Sequence, residues 1–506
     1  MAIESEISII GSGVAGLFFA IKIAEHRPDI KISLITKSII TDSNSVFAQG
    51  GIAAVTDFNF DSFEYHIQDT LASGGFLADQ QIVQHVVQSG PSRINDLIEM
   101  GMNFTRCSDS QLDLAKEGGH RKHRVVHCFD NTGENLINTL VKKATSFSNI
   151  TIHENQFCIE LLKTKNGKVG GINTFDTEKN TSQIFLSKIV VLATGGCGQL
   201  FKHTTNPKIA TGDGISMGLK IGAMVSHLNF VQFHPTALFE PNKSRLDLIT
   251  EAIRGFGAHV VNSSGRRFLF DSDSRGELAT RDIVSKAIFN EIKNSGNDHV
   301  FMDFRHLDQN ELERKFPTVY SNLVSKGFEL NHDLIPIVPA AHYHCGGLKV
   351  NERGQTNIEG LYAIGECAET GLHGSNRLAS NSLLEALVFA HDAAEYVSCI
   401  MDDLVVESLL DQDYLQLNPS QDFDCDNLMN LIKETMSTYA ALNSNVEELK
   451  LALEKLIEYQ FQLSINLKNT GNSLNSVIAE NTLNLSFAVV YAMLEYEEKK
   501  NYVKIG

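Results

Sequence analysis

The ten residues ISIIGSGVAG, 7 to 16, restrict the fold more than any others. Ile7 to Ile10 is the apolar run of a buried strand, glycines follow at 11, 13 and 16, and Leu17 to Ala24 continues as an apolar helix. IKISLITK then reads as a second strand. In such a strand, turn and helix, Gly11 makes the turn, Gly13 lets backbone approach a pyrophosphate, and Gly16 lets the helix pack closely on the sheet. The helix N-terminus adds the positive field that phosphate groups require. This is the opening of an α/β dinucleotide-binding domain.

A plain NAD site usually carries an acidic residue about 20 positions on, where it reads the ribose hydroxyls. Here the second strand ends in Thr36-Lys37 instead. Glycines recur in AQGGIAAV (48–55), and two further strands run into glycines, VVLATGG (190–196) and LYAIGE (361–366). Such strands, far apart in the chain, are expected to join one sheet with insertions between them. Together with GSGVAG they favour a flavin.

At 506 residues and 42% hydrophobic content, about two to four domains are expected, because single cores stop growing near roughly 250–300 residues. Residues 229–342 mix short strands and charged helices and read as an inserted α+β domain. Beyond 401, apolar residues fall at three-to-four spacing over Asn427–Tyr439, Val446–Lys468 and Leu474–Lys500, which predicts a helical bundle. The acidic stretch from Glu407 to Asp426 reads as the linker. The expected division is 1–228 with 343–400, then 229–342, then 401–506.

The formal net charge of −18 argues against a nucleic-acid partner, whose phosphates demand broad basic surfaces. One stretch opposes that balance: KEGGHRKHRVVH (116–127) has four cations and three imidazoles around Glu117. A charge run is usually a solvated loop, but a basic pocket in an acidic shell also suits a small acidic substrate. The eight cysteines (107, 128, 158, 197, 345, 367, 399 and 425) form no CxxC and read as reduced and mostly buried, so no metal site is expected. The acidic N-terminus lacks the basic region of a secretory signal, and no run of about 18 apolar residues stands out, so a cytosolic location without a membrane is expected.

Six longer stretches are specific: SNSVFAQGGIAAV (43–55), VQFHPTAL (231–238), LITEAIRGFGAHVVN (248–262), GELATRDIVSKAI (276–288), HYHCGG (342–347) and GLHGSNRLASNSLLEALV (371–388). In this order they resemble the succinate dehydrogenase and fumarate reductase flavoprotein superfamily, most closely its L-aspartate oxidase family, over residues 1 to about 400. The resemblance implies a Rossmann-like FAD domain of the two-dinucleotide type, an inserted capping domain and a C-terminal helical bundle. It implies flavin contacts from Gly11, Ser12, Gly13, Val14, Ala15, Gly16, Lys37, Asn44, Ser45, Ala48, Gln49, Gly50, Gly51, Asp213, Glu366, Ser382 and Leu383. Members that bind FAD covalently have a histidine at the position of Asn44, so noncovalent FAD is expected.

On the substrate side the resemblance implies that His234, Thr250, His342 and Arg377 hold two carboxylates, with Gln232, Glu251, Arg254 and Ser380 around them. Arg281 matches the arginine that moves a proton in fumarate reduction. KEGGH is similar to the segment whose glutamate faces the substrate amino group, which makes Glu117 the amine reader. The catalytic set is then Arg281, Glu117, His234 and His342. Among its cations Glu117 is expected to keep a depressed pKa, with Arg121, Lys122 and Arg124 raising the local potential. The implied reaction oxidises L-aspartate to iminoaspartate, the first step of quinolinate and NAD synthesis. Oxygen or fumarate is the acceptor, and a quinolinate synthase is the partner that takes the product. A soluble fumarate reductase, or a flavin-binding subunit without catalysis, are the alternatives. Three departures from the family stand out: His344, expected to alter affinity or pH dependence; Lys116 in place of arginine; and a tail lacking the usual closing segment, which leaves its packing open.

Overall fold

The structure, a computed structural model, describes residues 2–241, 243–410, 414–418 and 425–505, with side chains to 500. Its centre is an all-parallel five-stranded sheet in the order Leu361–Ala363, Ile189–Leu192, Ile7–Ile10, Ile32–Ile35 and Ile150–His153. The strands that lead into ATGG and AIGE therefore lie in one sheet with the first strand, as the glycine turns imply. The first four strands in that order are wholly buried, which is why they read as unbroken apolar runs. Helices Val14–His26 and Asn381–Ile400 pack on one face through Leu17, Phe18, Ile21, Leu384, Leu387 and Val388.

An antiparallel meander, Gln156–Lys163, Val169–Asp176 and Thr181–Leu186, joins the edge strand Ile150–His153 to Ile189–Leu192, and Ile3–Glu4 runs parallel to its last strand. Asn166-Gly167, a dipeptide that favours tight turns, lies between the meander's first two strands. A further sheet pairs Val231–Leu238 with Leu334–His344, followed by Val300–Asp303 and His259–Val261, all antiparallel. Its own core includes Leu238, Ile253, Val284, Ile288, Met302 and Ile337. The strand Leu334–His344 crosses the 342/343 position unbroken. Register shifts in Val231–Leu238 fall between Gln232 and Phe233 and between His234 and Ala237, and such bulges commonly re-aim a side chain beside a site.

The predicted bundle consists of Cys425–Tyr439, Val446–Thr470 and Leu474–Ile505. The second helix starts in a capping box, Asn445 with Glu448. Ile432, Met436, Leu456, Leu485 and Val489 share one core cluster with Ile10, Ile35 and Leu192, so the bundle covers the face of the sheet opposite helix Val14–His26. The last helix thus packs against the dinucleotide domain as far as Leu494. Leu474–Lys500 is, by length and composition, apolar enough to cross a membrane, contrary to the expectation that the chain holds no such run; half of its most apolar window is buried in this bundle. The linker stretch lies partly outside the described residues, and within it Leu415 O accepts from Asn173 Nδ2 at 2.9 Å. Six cysteines are buried, while Cys107 and Cys399 are exposed.

Candidate active site

A single elongated cavity runs from the first glycine turn to the sheet of residues 231–344. At one end it is built for a dinucleotide. Gly11 has φ +114°, and a Cβ there would lie 2.1 Å from Ala193 O, so only glycine fits where the two strand ends cross. A Cβ on Gly16 would lie 2.0 Å from Gly11 O, so Gly16 stands behind the turn and does not line the cavity. Helix Val14–His26 has Gly13 as its N-cap, which offers no capping side chain of its own; the Val14 amide meets Ser45 Oγ at 3.3 Å, and Gly13, Val14 and Ala15 line the cavity. Lys37 Nζ meets Asp213 Oδ2 at 2.5 Å, and Asp213 Oδ1, Thr194 Oγ1 and Gln49 Oε1 are buried without partners. A glycine cradle, a helix N-terminus on the cavity wall and orphaned polar atoms along one cavity fit FAD. Every expected flavin residue except Gly16 lines it, together with Ile35, Phe157 and Met217, which carry no recognisable signal in the sequence.

Asn44 donates through Nδ2 to Glu366 Oε2 at 3.4 Å and accepts from Asn206 Nδ2 at 3.2 Å. Burial pushes Glu366 up to about 7, against the backbone amide of His344 at 3.0 Å. His344 itself is absent from the cavity wall. Its Nδ1 lies 3.3 Å from Cys197 Sγ and its Nε2 3.1 Å from Leu228 O, and burial lowers it to about 4. The expected influence on substrate affinity or pH response therefore has no direct route: an uncharged core imidazole supports the loop that holds Glu366.

At the other end the cavity is lined by His234, Thr250, Glu251, Arg281, His342, Arg377, Ser380 and Glu117. Arg281, at the start of helix Arg281–Ser295, donates from Nε to Glu251 Oε2 at 2.6 Å and from Nη1 to Gln232 Oε1 at 3.1 Å. Gln232 stands one layer out and donates to Arg377 O at 2.8 Å and Asn376 Oδ1 at 2.7 Å, so it spans both arginines. Arg254, also behind the wall, pairs with Glu251 Oε1 at 3.1 Å. Burial alone raises a carboxyl pKa, but the Arg281 and Arg254 guanidiniums hold Glu251 below its ordinary value. Arg377 lies with its guanidinium 4.5 Å from the ring centre of Tyr343, and its buried Nε has no partner.

The imidazoles of His234 and His342 stand 5.2 Å apart. Burial, then the neighbouring arginines, push both well below the usual histidine range, so both are neutral at pH 7. His234 Nδ1 accepts from Thr236 N at 3.2 Å, which puts its proton on Nε2, a buried atom without a partner. His342 Nδ1 meets the Thr205 hydroxyl at 2.8 Å. Thr205 and Arg245, both cavity residues, lie outside the sequence expectations, since neither sits in a quoted motif.

The basic stretch behaves differently from expectation. Glu117 is buried and its pKa is raised, because burial outweighs the Arg281 and Arg377 charges and the 2.6 Å hydrogen bond from Ser380 Oγ. The nearby cations of the stretch do not offset this. Arg124 is fully buried and bonded to Asp61 (2.7 and 2.9 Å) and Asp69 (2.7 Å), Arg121 pairs with Asp69 at 2.9 Å, and Lys122 lies over the Tyr65 ring. Arg124 also donates to His120 Nδ1 at 3.0 Å, and His120 Nε2 donates to Ala379 O at 2.9 Å. The run is a brace that carries Glu117 to Ser380, itself held at φ +61°.

The glycines of KEGGH have a packing reason. A Cβ on Gly118 would sit 1.9 Å from Glu251 Oε1, whose carboxylate is fixed by two arginines. Gly118→Ala is expected to displace the Glu251–Arg281 pair and lower kcat/KM on the order of 10–100-fold, with FAD content unchanged. Steady-state kinetics alongside the flavin-to-protein absorbance ratio checks this.

The FAD binding domain family matches residues 6–383. L-aspartate oxidase of Acinetobacter baylyi is 38% identical over 505 residues, 98% of this chain and 92% of that protein. Chloroplastic L-aspartate oxidase 2-b of Nicotiana tabacum is 42% identical over 400 residues, 77% of this chain and 61% of that longer protein. A solved E. coli quinol fumarate reductase chain superposes with a TM-score of 0.85 at 29% identity, covering 98% of this chain and 88% of that one. With a dinucleotide cradle and an arginine-lined end joined in one cavity, and with the Acinetobacter baylyi enzyme matching 98% of it, the chain belongs to the L-aspartate oxidase family of FAD-binding flavoproteins.

Proposed function

We propose that this enzyme oxidises L-aspartate to iminoaspartate, with noncovalent FAD, as the first step of NAD synthesis. The observation that carries the reading is a buried carboxylate, Glu117, that faces the end of the cavity holding Arg281, Arg377 and two neutral histidines and that, unlike Glu251 beside it, makes no ion pair with an arginine among the described residues. Arg281 and Arg377 suit two carboxylates through charge and planar donors, and the unpartnered Nε2–H of His234 adds a neutral donor. Glu117 supplies the contact that succinate cannot use. It attracts the substrate ammonium, and its raised pKa suits it to take a proton from that nitrogen before oxidation. FAD, when bound, supplies the two-electron acceptor for the Cα hydrogen. The protein's part is orientation in a site shielded from water.

Asn44 supports noncovalent attachment, since an amide cannot replace the linking imidazole. Residues 229–342 act as the cap, residues 1–228 with 343–400 hold the flavin, and 401–506 form the supporting bundle. Oxygen or fumarate reoxidises the flavin, a cytosolic quinolinate synthase receives the product, and the arginine pair is also suited to fumarate as a dicarboxylate.

Anaerobic mixing of the FAD-loaded protein with L-aspartate is expected to bleach the flavin, and succinate is expected to leave it yellow. Glu117→Gln is expected to slow bleaching by aspartate about 100-fold or more, the scale of a lost general acid–base group. Bleaching by succinate alone overturns the reading in favour of a dicarboxylate oxidoreductase. A second expectation follows from the raised Glu117 pKa. An ammonium ligand favours the ionised carboxylate, so aspartate binding strengthens as pH rises through that pKa, whereas succinate binding weakens. Titration calorimetry of both ligands on wild type and on Glu117→Gln, stepped upward in pH from the ordinary carboxyl range, checks the opposite slopes, and the variant is expected to lose both.

A further inference from the structure

We propose that Arg245 is a further substrate-directed residue: a cation at the solvent side of the cavity that draws the dicarboxylate toward the buried clamp of Arg281 and Arg377. This rests on the dicarboxylate reading of the site above. Arg245 lies between strand Val231–Leu238 and helix Glu251–Phe256, is only partly buried, and lines the same cavity. Its guanidinium carbon sits 3.5 Å from the ring centre of Phe47, a residue 36% exposed, and its Nε donates to Thr205 O at 3.2 Å. The Thr205 hydroxyl in turn meets His342 Nδ1 at 2.8 Å. Arg245 is therefore one residue removed from His342 and nearer to water than Arg281 or Arg377.

Its charge is not used up inside the protein. Among the described residues no carboxylate lies within ion-pair distance of Arg245, and the neighbouring Asp247 is engaged by Lys326 at 2.9 Å and Lys243 at 3.6 Å. Phe47 fixes the guanidinium through its ring face without neutralising it. Thr205 takes Nε, which leaves the outer two nitrogens of the fork for a ligand. Asp247 acts on Arg245 from beyond ion-pair distance, and a cation without an ion-pair partner on a cavity wall raises the local concentration of anions and their rate of capture, an effect that salt suppresses.

The test compares wild type, Arg245→Met and Arg245→Lys, all FAD-loaded. Anaerobic flavin reduction by L-aspartate is followed between about 20 and 300 mM NaCl, roughly a fourfold change in screening length, and the Kd of succinate is measured by titration calorimetry. For Arg245→Met we expect kcat/KM about tenfold lower at low salt, the flavin reduction rate at saturation within about twofold, a flatter salt dependence and a weaker succinate Kd. Arg245→Lys restores most of the loss. Unchanged kcat/KM with an unchanged salt slope overturns the proposal. So does an equal fall at all salt concentrations, which marks a structural role. If the wild type is reduced by succinate and not by aspartate, the aspartate reading fails, and the Arg245 comparison is made with succinate, whose carboxylates carry the same charge.

Discussion

Arg281→Leu is expected to lower kcat/KM for L-aspartate on the order of 10³-fold while the protein still folds and binds FAD. The side chain is buried and makes two hydrogen bonds, one to Glu251 at 2.6 Å and one at 3.1 Å to Gln232, which in turn holds Arg377 O. Leucine fills a similar volume but leaves Glu251 with Arg254 as its remaining cation, at 3.1 Å. Removing one partner of a buried charge pair costs about 3–5 kcal/mol. At about 1.36 kcal/mol per factor of ten, that is two to four orders of magnitude if it falls on the catalytic complex. Arg281→Lys separates charge from geometry, since lysine keeps the cation and loses the planar fork, and a value between leucine and wild type is expected. Steady-state kinetics with calorimetric Kd for succinate measures both. A fall smaller than tenfold for leucine means Arg281 serves the helix that it begins and not the substrate.

What is legible in the sequence follows from how local each interaction is. The turn at Gly11 to Gly16 is determined by neighbours in the chain and by Ala193, which ends the adjacent strand, so its glycine spacing can be read directly. The parallel sheet follows from that turn and from strands buried on both faces. The meander of 156–186 has strands of 8, 8 and 6 residues and an Asn-Gly pair at 166–167 between the first two, a hairpin signal that does not say where in the fold the hairpin packs. His234, Thr250, His342, Arg377 and Arg281 line one cavity, although they are spread over more than 100 residues of chain; only the family resemblance, not spacing, links them beforehand. Thr205 and Arg245 reach the same cavity from stretches with no pattern at all. The expected depression of the Glu117 pKa fails for a related reason. A tally of charges along 116–127 counts cations as neighbours of Glu117, but burial and side-chain direction are set by Asp61, Asp69 and Ser380, from 48 to 263 positions away.

That same stretch yields the largest expected change in stability. Arg124→Leu is expected to destabilise the fold by about 3–5 kcal/mol, a large part of the roughly 5–15 kcal/mol by which a domain is folded. Arg124 is the largest fully buried side chain among the described residues and carries two bonds to Asp61, one to Asp69 and one to His120. Leucine removes the one cation bonded to Asp61 among the described residues and leaves Asp69 with Arg121, which is largely exposed. It also frees His120, whose other nitrogen holds Ala379 next to the Ser380–Glu117 bond, so surviving enzyme should show weakened aspartate binding as well. Thermal melting of the FAD-loaded protein and its soluble yield report the first effect, and KM reports the second. The contrasting variant is Lys116→Ala with Lys122→Ala, which removes two cations from the same run. If the run served to raise the potential for a dianion, this pair would lower kcat/KM in a salt-dependent way and Arg124→Leu would melt like wild type. A brace predicts the reverse: the lysine pair stays within about twofold of wild type, the range of an exposed charge, and the buried arginine is the residue the fold needs.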